Sequence, residues 1–91
     1  MTQQQRMNVQ VVHNPSKHRF EVDLEGAKAL LEYDNRDGQI DLTHTEVPAA
    51  YQNRGVGEQL VRAALNFAQD KGLLVVATCP FAKRFLTQNA G

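Results

Sequence analysis

Tryptophan is absent and cysteine occurs once, at Cys79, in a chain of 91 residues. A lone cysteine excludes an internal disulfide and favours a reducing, cytoplasmic compartment. Net charge is missing as well, because ten basic and ten acidic residues cancel. A dedicated nucleic-acid binder or a polybasic membrane-surface protein carries a basic excess or stripe, so the balance argues against both. Long apolar runs are lacking too. The longest, residues 73–77, falls far short of the roughly 20 residues that a spanning helix needs. Residues 1–7 are polar and glutamine-rich, with no apolar signal segment. They read as a fraying end ahead of a single small domain over residues 8–91. His13 and His18 flank a turn with no cysteine nearby, and no metal site is read there.

What is present is an ordinary apolar fraction of 42%, laid out with two periods. Residues 9–12 are rich in β-branched side chains and read as a strand. Asn14, Pro15 and Ser16 make a turn. Phe20, Val22 and Leu24 alternate with Arg19, Glu21 and Asp23, the mark of a half-buried strand. Residues 27–33 alternate more loosely. Propensity alone leaves a helix open there, and the hairpin-like turns on either side favour a strand. Residues 34–38 form a turn cluster ending in Asp-Gly, and residues 39–47 return as a fourth strand.

The period then changes. Val56, Leu60, Val61, Ala64, Leu65, Phe67 and Ala68 form the apolar stripe of a helix over Val56–Lys71, stopped by Lys71-Gly72. Residues 73–77 are a continuous apolar run, in a strand over residues 73–78, of the kind that suits a central strand covered on both faces. Pro80 suits the first turn of a second helix reaching to about residue 88. The fold class is α+β: an antiparallel meander leads into a parallel β-α-β pair with a right-handed crossover and a short C-terminal helix. The expected ligand crevice lies at the carboxyl ends of the two parallel strands.

Between the fourth strand and the first helix, Gln52-Asn53-Arg54-Gly55-Val56-Gly57 fits Gln/Arg-x-x-Gly-x-Gly/Ala. A glycine loop between strand and helix presents unbonded N–H groups, and the helix dipole favours an anion there. With His44-Thr45-Glu46-Val47-Pro48 before the loop and Cys79-Pro80-Phe81 after the next strand, the chain resembles the GNAT superfamily of N-acetyltransferases, in its short, single-domain, YjdJ-like branch. The likeness runs from Val9 onward and is densest over residues 41–85.

That resemblance implies a GNAT-like fold whose two parallel strands splay apart, with acyl-CoA in the gap. It implies a minimal N-acetyltransferase that uses acetyl-CoA and an unidentified amine acceptor. The cofactor would lie along the strand ending at Val47, with its pyrophosphate on the main chain near Arg54, Gly55, Val56 and Gly57. Gln52 and Asn53 would shape the loop. Cys79, at the start of the last helix, is either a catalytic or acetyl-accepting thiol or a structural, site-lining one. Glu46 and His44, two apart on one strand face, are the candidates for the base that frees the amine. A tyrosine acid is usual near the last helix in the superfamily. Here Tyr33 and Tyr51 are the only tyrosines, and Phe81 and Phe85 stand where it would be sought. Lys83 and Arg84 are either solvated surface or contacts for the ribose phosphate. A CoA-binding module or acyl-CoA sensor without turnover is the alternative, and an interaction domain that keeps only the fold is a third reading. The assembly is expected to be a monomer or a weak homodimer formed through a sheet edge.

Overall fold

The computed structural model describes residues 6–88. Its elements are β1 (Val12–Asn14), β2 (Arg19–Leu24), β3 (Ala27–Arg36), β4 (Gln39–Glu46), α1 (Val56–Lys71), β5 (Leu74–Ala77) and α2 (Pro80–Gln88). The strands form one sheet in the order 1-2-3-4-5. The first four are antiparallel, and β4 pairs with β5 in parallel. This is the α+β arrangement expected of a meander that ends in a β-α-β unit.

Alternation in the strands places Phe20, Val22, Ala29, Leu31, Ile40 and Leu42 on one face, where all are buried. The stripe of α1 covers them with Val56, Leu60, Val61, Ala64 and Ala68, and α2 adds Ala82 and Phe85 to the same core. Removing this apolar surface from water is what holds the sheet to the helices. α1 stops at Gly72, whose N–H closes on the carbonyls of Ala68 and Gln69.

Three expectations shift. The β-branched pattern places the first strand at residues 9–12, but the ladder with β2 begins at Val12. A 3-10 turn at Pro15–Lys17 fixes Asn14 opposite Arg19, and the ladder runs back only to Val12 opposite Glu21. Before it, Val9 gives its N–H to the side chain of Gln59 on α1 instead. Strand β3 outlasts the expected turn, because Asp37 and Gly38, with φ of 52° and 76°, close the hairpin by themselves. Finally, β5 is an edge strand rather than one covered on both faces, and Leu74 is 66% exposed. The reason is that α1 and α2 lie side by side on one face, with Arg62 5.4 Å from the Phe85 ring centre.

The other face of the sheet is polar. Glu21 is buried there under Arg19, Lys28 and Asn14, and the Arg19 guanidinium, first among these partners, holds its carboxyl below the usual range. Of the end expected to fray, residues 1–5 lie outside the described residues, whereas Met7 donates its N–H to the Arg54 carbonyl at 2.9 Å. No described helix is long and apolar enough to cross a membrane.

At one end of the sheet His13 stacks on Phe20 at 4.2 Å and bonds the Tyr33 hydroxyl at 2.6 Å. Burial lowers the His13 pKa. The folded state therefore takes up its proton at lower pH than the unfolded chain does. Stability is complete above about pH 6.5 and declines as pH falls below it, toward the folded-state pKa. Melting curves between pH about 7.5 and 5.5 are expected to show this decline, and His13→Gln, which keeps a hydrogen-bonding group, should flatten it. An unchanged slope in the variant would place the acid sensitivity elsewhere.

Candidate functional site

The parallel pair opens where its register ends, at Leu42 opposite Ala77. The Leu42 carbonyl accepts the N–H groups of both Thr78 and Cys79, each at 3.0 Å. The Asp41 carboxylate fastens the same point, taking the Thr78 N–H at 3.1 Å and its hydroxyl at 2.9 Å. Beyond this tie β5 turns away into α2. Strand β4 runs on to Glu46 beside β3 alone, so its other edge is open.

A bulge re-aims that open segment. His44 faces Glu32 and Leu42 faces Tyr33, which leaves Thr43 as the extra residue in β4. Leu42 and Thr45 therefore both point toward the helices, while His44 and Glu46 point to the polar face. A strand without the bulge would have placed His44 and Glu46 on the same side as Leu42.

On the helix side of the gap lies a cleft of about 490 Å³. The end of β4 (Thr45), the loop after it (Val47, Gln52, Gly55) and the first turns of α1 and α2 (Gly57, Phe81) line it. Gln52 shapes the loop by donating its amide to the Val47 carbonyl at 3.0 Å. Asn53 takes a positive φ of 63°. Gly55 is the N-cap of α1 at φ 81°, a left-handed backbone that favours glycine, and it carries no side chain to cap the helix. The first turn of α1, whose leading N–H groups have no partner within the helix, thus lacks a capping side chain, and its Val56, Gly57 and Glu58 line the cleft.

The room left by the two missing Cβ atoms is used by the protein itself. A Cβ on Gly57 would lie 2.8 Å from the tip of the Phe81 ring, and one on Gly55 would lie 2.7 Å from Nη1 of Arg6. Arg54, expected beside the phosphate, lines a second groove with Met7, Val9 and Tyr51. Arg84 lines the cleft from α2. Sequence reasoning missed Arg6, Asp41 and Thr45. A basic residue at position 6 was visible, but nothing local tied it to a loop nearly fifty positions away.

The catalytic candidates are split between the two faces. His44 and Glu46 meet at 3.2 Å on the polar face, and their side chains are 54% and 63% exposed. Cys79 is on the helix side, 5% exposed, behind Thr45, whose hydroxyl lies 3.3 Å from its sulfur. Burial alone would raise the Cys79 thiol pKa. The Thr45 hydroxyl and backbone hydrogen bonds from Ala82, Phe81 and Thr45 outweigh it and bring the pKa below the ordinary value. The arrangement is that of a sulfur held at a helix start, where thiolate is favoured.

Residues 19–90 match the family described as GCN5-related N-acetyl-transferase. Protein NATD1 of Gallus gallus is 37% identical over 84 residues, which cover 89% of this chain and 76% of that protein. Its Homo sapiens counterpart is 36% identical over 84 residues, covering 89% and 74%. A GCN5-like protein of Staphylococcus aureus, solved by NMR, matches with a TM-score of 0.65 at 27% identity, over 89% of this chain and 80% of that one.

Proposed function

The chain belongs to the GCN5-related N-acetyltransferase family, and from that premise we propose that it transfers an acetyl group from acetyl-CoA to an amine. The observation that carries this reading is the gap past Leu42, which leads from the open edge of β4 onto the glycine start of α1. The residues present fit such a ligand. The first-turn N–H groups of α1 bind a pyrophosphate. The open edge of β4, from Thr43 to Glu46, offers N–H and C=O groups to an amide-bearing chain as a neighbouring strand would.

When bound, acetyl-CoA would supply a thioester carbonyl for the amine to attack. Open N–H groups of β4 would stabilise the negative charge that develops there. Glu46, with His44 beside it, takes the amine's proton directly or through one water. Val47 and Gln52 fix the end of β4 against the loop, so the loop and the strand edge form one rigid surface.

The hydrogen bonds at the Cys79 sulfur support a second course, from the helix side of the gap. Its thiolate would attack the thioester carbonyl, forming a new S–C bond. The bond to the CoA sulfur then breaks, and CoA leaves as a thiol with the proton that Cys79 gave up. Acetyl-Cys79 would pass the group to the amine. The burial of Cys79 behind Thr45 favours direct transfer as the leading course.

Backbone-amide NMR with acetyl-CoA tests the reading. Shifts are expected at residues 54–58, 45–47 and 78–81. Glu46→Ala should then lower transfer to an amine on the order of 100-fold while CoA still binds. Acetyl mass on the intact protein, removed by Cys79→Ala, would establish the second course. If millimolar acetyl-CoA moves nothing in the loop, the chain keeps the family's fold without its cofactor.

A further inference from the structure

We propose that Arg6 is a phosphate-binding residue of the cleft, delivered there by an N-terminal strap that Gln59 holds against α1. The inference rests on the acetyl-CoA reading above and assigns part of its binding to a residue outside the glycine loop.

The strap is built in. The Gln59 side-chain amide donates to the Met7 carbonyl and accepts the Val9 N–H at 3.1 Å, so one side chain pairs with the strap as a neighbouring strand would. The same amide donates to the Gly55 carbonyl at 3.0 Å, which locks strap and loop together. The Met7 N–H closes the arrangement on the Arg54 carbonyl at 2.9 Å. Met7 and Val9 also pack their side chains against the core. These contacts order residue 6 before any ligand arrives, so little freedom remains to be lost on binding.

Arg6 then lies against two residues of the cleft wall. Its Nη2 bonds Glu58 at 3.0 Å, and its Nη1 lies 2.7 Å from the place of a Cβ on Gly55. Both Gly55 and Glu58 line the cleft. A Cβ at residue 55 would push the guanidinium from its present position, so glycine leaves room for this contact as well as for the helix start. Glu58 does not cancel the charge. Arg62 bonds the same carboxylate oxygen at 3.3 Å, and two guanidinium groups share one carboxylate. With Arg84 on the opposite wall, a chain of zero net charge gathers cations around this opening. The Arg6 side chain is 49% exposed. A planar guanidinium at that point matches a phosphate oxygen pair in geometry and charge.

Calorimetric titration with CoA and with pantetheine, which has no phosphate, tests the assignment. Arg6→Gln is expected to weaken CoA about tenfold, to leave pantetheine unchanged, and to reduce the salt dependence of CoA binding. Arg6→Lys should recover part of the loss. Gln59→Leu should weaken CoA by a similar factor, and the double variant should lose little more, because both changes remove one delivered charge. Equal CoA affinity in Arg6→Gln and the wild type would overturn the proposal. So would an equal loss for pantetheine, which would make the strap a support rather than a phosphate contact. A wild type that binds no CoA would instead overturn the acetyl-CoA reading itself, and this assignment with it.

Discussion

Gly57→Glu is expected to abolish acetyl-CoA binding while the domain stays folded. The substitution is mild for the helix. Glycine is the poorer helix former by roughly 0.5–1 kcal/mol, and a carboxylate in the first turn interacts well with the helix dipole. Its steric cost falls on the Phe81 ring, 2.8 Å from the new Cβ. That ring is at the end of a side chain 38% exposed, so it has solvent to move into. The cost to the ligand is of another kind. The new carboxylate competes for the N–H groups of α1 and repels a phosphate at close range. Affinity should fall by more than about 100-fold, near 3 kcal/mol, with the melting temperature changed by only a few degrees. Gly57→Ala separates charge from bulk: it pushes the same ring but adds no charge, and should retain most of the affinity. A Gly57→Glu variant that binds acetyl-CoA within tenfold of the wild type would mean that the phosphates lie away from the start of α1.

The elements that were legible in the sequence carry their own signals. Val56–Lys71 has a wide apolar stripe and a Lys-Gly stop, and Arg19–Leu24 alternates without a break. Each was placed at its observed bounds. Local pattern decides such elements because one buried face decides their register. The features that shape the site have no local signal. The bulge at Thr43 shifts the β3–β4 register between Glu32 and Tyr33, and no glycine, proline or break in polarity marks it in the sequence. Its consequence, that Thr45 and not His44 meets Cys79, could not be read from alternation. The apolar run over residues 73–77 did not disclose that both helices would choose one face. The meaning of Gly55 and Gly57 was half legible. A glycine start to a helix is a recognisable anion site, but the fillers of the vacated space, Arg6 and Phe81, come from opposite ends of the chain.

Leu42→Ala should have the largest effect on folding. Leu42 is fully buried under the helices, at the strand position where β4 and β5 part. Leu-to-Ala changes at such sites remove transfer energy and leave a cavity, at a cost of about 3 kcal/mol. A domain of this length has on the order of 5–10 kcal/mol in total, so roughly 30–60% of its stability is removed. The melting temperature should fall by roughly 12–24 °C. Leu74→Ala, at an edge position 66% exposed, is the matched control and should change stability by about 0.5 kcal/mol or less. The site itself should survive in the folded fraction. The contacts that open the gap are made by the Leu42 carbonyl and the Asp41 carboxylate, neither of which the substitution touches. Saturating acetyl-CoA should therefore restore part of the lost melting temperature, since a ligand that binds only the folded form stabilises it by mass action. A drop below about 5 °C would show that the core relaxes around residue 42. A full drop with no recovery in acetyl-CoA would show that the Leu42 side chain, and not only its backbone, holds the two strands apart at the angle the ligand requires.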